Sequence, residues 1–104
     1  MRTLMRISIP NETNKGRVTG DTIAPMMRDL TEKIRPEAAY FYPEHGHRSC
    51  VMVFDLKDPS DLPVILEPLF IELNAAVELF PAMNADELKR GLAKQMETSA
   101  VLRH

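Results

Sequence analysis

A chain of 104 residues, 44% hydrophobic and 27% charged, has the size and composition of one globular domain spanning residues 1–104. Its formal net charge of −2 gives no general attraction to phosphate backbones or anionic lipid, and it holds no apolar run of about 18 residues, so nucleic acid and membrane are excluded as expected partners. The lone Cys50 cannot close an intramolecular disulfide, and Arg6 and Pro10 interrupt the amino-terminal apolar residues too soon for a signal peptide; a soluble cytoplasmic protein is expected.

Thr3 to Ile9 alternates, with Met5, Ile7 and Ile9 on one side and Leu4, Arg6 and Ser8 on the other, and Pro10 ends the run, which predicts a strand. Asn11 to Gly20 is polar with two glycines and reads as a mobile connector. Asp21 is the candidate N-cap of a helix over Thr22–Arg35, whose stripe is Ile23, Met26, Met27, Leu30 and Ile34, with Pro36 as its stop. Ala38–Tyr42 and Arg48–Leu56 are rich in aromatic and β-branched residues and read as a hairpin. Asp58-Pro59-Ser60 opens a second helix with Leu62, Ile65, Leu66, Leu69, Phe70 and Leu73, kinked at Pro68. Ala75–Phe80 is the fourth strand. Asn84 to Glu87 resembles a capping box, leading into a peripheral helix with a thin stripe of Leu88, Leu92 and Met96 and a frayed tail from Thr98.

Strand, helix, strand, repeated, is the split βαβ order. The expected fold is α+β, a ferredoxin-like βαββαβ sandwich with a four-stranded antiparallel sheet plus a C-terminal helix. Helices on one side leave the other face of the sheet open. Side-chain assignment then rests on the hairpin register, since a one-residue slip exchanges the faces. His45-Gly46 as a two-residue turn would favour Asn or Asp first, so a three-residue loop with a bulge, Pro43 opposite His47, is the expected connection. It puts Met5, Ile7, Ile9, Phe41, Val51, Val53, Val77 and Leu79 under the helices. The open face then holds Leu4, Arg6, Ser8, Tyr40, Tyr42, Cys50, Met52, Phe54, Glu78 and Phe80. A face that apolar is expected to be covered by a second copy of the chain, giving a homodimer.

In element order the chain resembles the dimeric α/β-barrel superfamily, whose subunits pack sheet against sheet around a shared interior. Phe54-Asp55-Leu56 with Asp58-Pro59-Ser60-Asp61-Leu62 and Pro68-Leu69-Phe70 resembles the corresponding stretch of muconolactone isomerase. The superfamily holds several reaction types, so the resemblance leaves enzyme or non-enzyme open.

Two functions follow from the open face. In one, an inter-sheet cavity binds or isomerises a small organic acid or aromatic metabolite, with Arg6 clamping a carboxylate, Glu78 moving a proton and Tyr40 as a further catalytic candidate; Ser8, Tyr42, Cys50, Met52, Phe54 and Phe80 complete the ligand-binding set. In the other, the interior is filled and the chain is a dimerisation or protein-interaction module, with Arg6 and Glu78 as a structural ion pair and the tyrosines as packing. Cys50 among apolar neighbours is expected to be an inert buried thiol. Glu44, His45 and His47 on the hairpin lack convergent geometry for a metal, and no cofactor is expected.

Overall fold

The computed structural model describes residues 1–102, with side chains through 99. Strand β1 (Arg2–Ile9) is followed by a miniature hairpin of β2 (Glu12–Thr13) and β3 (Gly16–Arg17), helix α1 (Gly20–Ile34), strands β4 (Ala38–Glu44) and β5 (His47–Asp55), helix α2 (Leu62–Leu73), strand β6 (Ala76–Pro81) and helix α3 (Ala85–Leu102). The sheet order is β4-β5-β1-β6, all neighbours antiparallel, with α1 and α2 on one side. This is the expected α+β ferredoxin-like arrangement, with β1 and β5 central.

Local chemistry explains most boundaries. Helix α1 starts earlier than expected: Thr19, extended at φ −119°, holds the N-cap position, and Asp21 lies in the first turn. The helix ends on Arg35 at φ 46°, whose N–H bonds Thr31 O at 2.9 Å. Asn74, a residue that tolerates the left-handed region, ends α2 at φ 50°. Before α2, Asp58 accepts from Ser60 N–H at 2.9 Å and Ser60 Oγ at 2.8 Å, and these bonds hold its carboxyl below the usual range. The capping box is reciprocal: Glu87 N–H donates to Asn84 Oδ1 at 2.8 Å and Asn84 N–H to Glu87 Oε1 at 3.1 Å.

Helix α2 runs unbroken through Pro68, which has no N–H for the carbonyl of Val64. Lys33 of α1 supplies the missing donor, its Nζ lying 3.3 Å from Val64 O. One proline thus leaves an acceptor that a neighbouring helix fills.

Asn11 to Gly20, expected as a loose connector, instead contains the β2–β3 hairpin. Val18 is buried, Val18 N–H bonds Asn11 O at 3.0 Å, and Lys15 reaches Glu72 of α2 at 3.5 Å. The tail expected to fray from Thr98 continues as helix to Leu102, with Thr98 Oγ1 on Lys94 O at 3.0 Å; positions 103–104 lie outside the described residues.

The hairpin departs most from expectation. Glu44 pairs with His47 across a two-residue turn in which His45 (φ 53°) and Gly46 (φ 76°) both take the left-handed conformation. Histidine, like Asn and Asp, is enriched there, so the primed turn forms without Asn or Asp in first place. Glu44 rather than Pro43 faces His47, and β5 is rotated relative to the expected register. Cys50, Met52 and Phe54 therefore lie beside Ile7, Met5 and Thr3 under the helices, at 1%, 0% and 2% exposure, while Val51 and Val53 turn outward. Met5, Ile7, Met52, Phe54, Leu69 and Leu73 form the centre of the core.

Helix α3 stands apart. Among the described residues it packs extensively against no other element, and Leu88, Leu92 and Met96 are exposed. The molecule measures 63 × 28 × 20 Å with a radius of gyration of 17.7 Å. A compact chain of this length would have about 13 Å. The root of the helix is held by Arg2, which pairs with both Glu37 and Glu87.

Candidate functional site: two sides of the sheet

The open face is built from three cross-strand rows set by the register. Phe80, Leu4, Val53 and Ala38 form one, Glu78, Arg6, Val51 and Tyr40 the next, and Ala76, Ser8, Ser49 and Tyr42 the third. Of the expected site residues, Arg6, Ser8, Tyr40, Tyr42, Glu78 and Phe80 are thus gathered on this face. Cys50, Met52 and Phe54 are not; they belong to the core, for the register reason given above. Cys50 is confined there, and burial pushes its thiol up to about 11, so it stays protonated and inert near neutral pH.

Arg6 and Glu78 are opposite one another as strand partners, yet the ion pair forms elsewhere. Arg6 Nη2 donates to both carboxylate oxygens of Glu44, at 2.9 and 3.1 Å. Ser8 and Ser49 are small, which leaves room for the guanidinium to reach diagonally towards the end of β4. The Tyr42 side chain first, and Glu44 second, push the ionisation of Arg6 upward, so its charge is fixed. Glu78 is exposed on the single chain. Tyr40 is 68% exposed and Phe80 42%. The dimple between Arg6, Tyr42, Glu44 and Glu78 holds about 40 Å³, room for a water rather than a metabolite.

A larger concavity lies on the helix side, at the far end of the β4–β5 hairpin, and sequence reasoning did not identify it. Two helices are too narrow to cover the edge strand β4, so Phe41 is 60% exposed although it faces the helical layer. The resulting groove of about 620 Å³ has walls from Ile9, Ile23, Met27 and Phe41, with Arg48 and His47 at its polar end. Its one sequence signal was Phe41, which joined the expected core set but lies on an edge strand.

Among the described residues, no helix is long and apolar enough to cross a membrane. No family model matches the chain, and no curated protein matches it. Solved structures do. A formyltetrahydrofolate deformylase from Pseudomonas putida KT2440 superposes with a TM-score of 0.55 at 11% identity, over 79% of this chain and 29% of that one. The regulatory subunit of aspartate kinase from Thermus thermophilus superposes with a TM-score of 0.52 at 16% identity, over 77% of this chain and 50% of that one. An antibiotic biosynthesis monooxygenase superposes with a TM-score of 0.40 at 18% identity, over 81% of this chain and all of that one. The chain spans half or less of the first two proteins, and identities this low speak to architecture alone. Together with the strand order, the first two likenesses give the chain a ferredoxin-like α+β fold.

Proposed function

We propose that the chain is a self-associating module whose open sheet face packs against the same face of a second copy. The observation that carries this is the apolar strip of Leu4, Val51, Val53 and Phe80, with Tyr40 beside it, which no element of the chain covers among the described residues. Strands six to nine residues long, four abreast, give that face a footprint of roughly 400 Å². A standard interface buries about 800 Å² per partner. The uncovered stripe of α3, Leu88, Leu92 and Met96, supplies further apolar area, so the helix is expected to reach across onto the partner. A cytoplasmic setting accords with the single unpaired thiol.

The second reading is an enzyme resembling muconolactone isomerase, with Arg6, Glu78 and Tyr40 acting on an organic acid between the two sheets. The gathering of these residues on one face favours it. The charge count does not: one arginine between Glu44 and Glu78 leaves the spot net negative, and Glu44 already occupies the guanidinium. An anion would have to displace Glu44.

Sedimentation equilibrium tests the first reading. The unaltered chain is expected to be dimeric at micromolar concentrations, and Val51→Lys, which places a charge at the centre of the strip, to be monomeric with an unchanged circular dichroism spectrum. A monomeric parent, or a Val51→Lys protein that stays dimeric, would overturn the proposal.

A further inference from the structure

We infer that the groove on the helix side, between α1 and the tip of the β4–β5 hairpin, is a binding site for a small amphipathic carboxylate with an apolar, ring-sized body. It does not depend on self-association, because its walls Ile9, Ile23, Met27 and Phe41 lie on the helix side of the sheet, with Tyr42 and Ser49 of the open-face row reaching only its edge at the hairpin.

Size comes first. A volume of about 620 Å³ falls within the range of small-molecule pockets, roughly 300–1,000 Å³, whereas the open-face dimple at about 40 Å³ does not. Shape and polarity come next. The floor is preformed, since Ile9 and Cys50 are buried at 3% and 1% exposure and Met27 at 8%, while Phe41 stands as an exposed aromatic wall. An aromatic side chain left in water at the rim of an apolar cleft is a surface for an apolar body to stack on.

Charge selects the polar end of the ligand. The chain carries 15 acidic residues, yet none lines this groove, where Arg48, His47 and Tyr42 are the ionisable groups besides the protonated Cys50. Among the described residues no carboxylate lies within ion-pair distance of Arg48, in contrast to Arg2, Arg6 and Arg17, which all have one. A single long hydrogen bond, Arg48 Nη1 to Val18 O at 3.4 Å, holds the guanidinium in place and leaves most of its planar fork free for a carboxylate. Asn11 is also held, its Nδ2 donating to Gly46 O at 3.2 Å, which ties the β1 end of the groove to the hairpin turn. An adjoining recess shares Asn11 and Arg48, and its one acid, Glu12, faces Arg17 at 3.8 Å.

Hydrocinnamate, an aryl carboxylate of suitable size, is the probe, and hydrocinnamyl alcohol is its uncharged counterpart. In amide and methyl NMR titrations of the full chain, hydrocinnamate is expected to shift Ile9, Ile23, Met27, Phe41 and Arg48. Arg48→Gln should weaken its dissociation constant about tenfold and leave that of the alcohol unchanged. Phe41→Ala, at a side chain already 60% exposed and therefore safe for folding, should weaken both probes. Three results would overturn the inference: shifts confined to the open face at Leu4, Val51 and Phe80; acid and alcohol binding equally well to the unaltered chain; or groove resonances that move with protein concentration and ignore the probe, which would show the groove filled by α3 of another copy.

Discussion

The sheet has two faces made from the same strands, and they differ in how finished they are. On the covered face Met5, Ile7, Cys50, Met52 and Phe54 are all at 2% exposure or below and meet the stripes of α1 and α2. On the open face the side chains are shorter and mixed, valines and serines between two tyrosines and a bound arginine, and several keep substantial contact with solvent. Both faces contain enough apolar atoms to drive burial; only one has found its cover within the chain. The difference therefore reflects both the side on which α1 and α2 lie and the more mixed side chains of the open face.

The sharpest way to break this comparison is to truncate adjacent residues of β5 that point to opposite sides. Phe54→Ala is expected to cost about 3–5 kcal/mol and Val53→Ala less than about 1 kcal/mol in urea unfolding, both measured in the Val51→Lys background so that association does not enter. Equal costs, or the reverse order, would mean that the faces of β5 are exchanged.

Cys50 gives a second, smaller handle on the covered face. Its ordinary pKa near 9 applies to the unfolded chain, while the folded chain holds the proton up to about 11. Between those values the unfolded state binds fewer protons, so stability falls as pH rises, by about 2–3 kcal/mol across the window, and is unaffected by this group below about pH 8. Denaturant midpoints at pH 8 and pH 11 should show that loss, and Cys50→Ala should remove it. A loss that persists in the alanine variant would locate its source elsewhere.

The smallest expected effect tests the turn that decides which face is which. At φ 76°, Gly46→Ala should cost about 1 kcal/mol, and at φ 53°, His45→Asn should add a few tenths of a kcal/mol. A stabilising Gly46→Ala in thermal unfolding would show that the hairpin does not need the left-handed pair.

The same turn explains what could be read from the residues and what could not. Strand β1 alternates cleanly between apolar Met5, Ile7, Ile9 and mixed Leu4, Arg6, Ser8, and its faces were legible; so were those of β4 and β6, the stripe of α1, and that of α2 apart from Phe70, which is 41% exposed. Strand β5 offers Cys50, Met52 and Phe54 in one parity and Val51 and Val53 in the other, so both registers satisfy the hydrophobic pattern and the choice passes to two loop residues. Six of the nine candidate site residues kept their face because they lie on strands with unequal parities. The three that moved are all on β5. The pairing of Arg6 with Glu44 was hidden for a different reason: it crosses an intervening strand diagonally, and adjacency in a ladder favours Glu78. The groove was hidden because it arises from the width of the helical layer, which no residue pattern encodes.

The bond from Lys33 to the Val64 carbonyl has a mechanical meaning. Because Pro68 cannot complete its own turn, the second helix is spliced to the first, and any axial slippage between them would strip an acceptor of its donor as well as misalign side chains. The groove wall formed by Ile23 and Met27 belongs to the same helix that carries Lys33, so this tether and the packing of α1 on α2 both bear on how that wall is held above the strands.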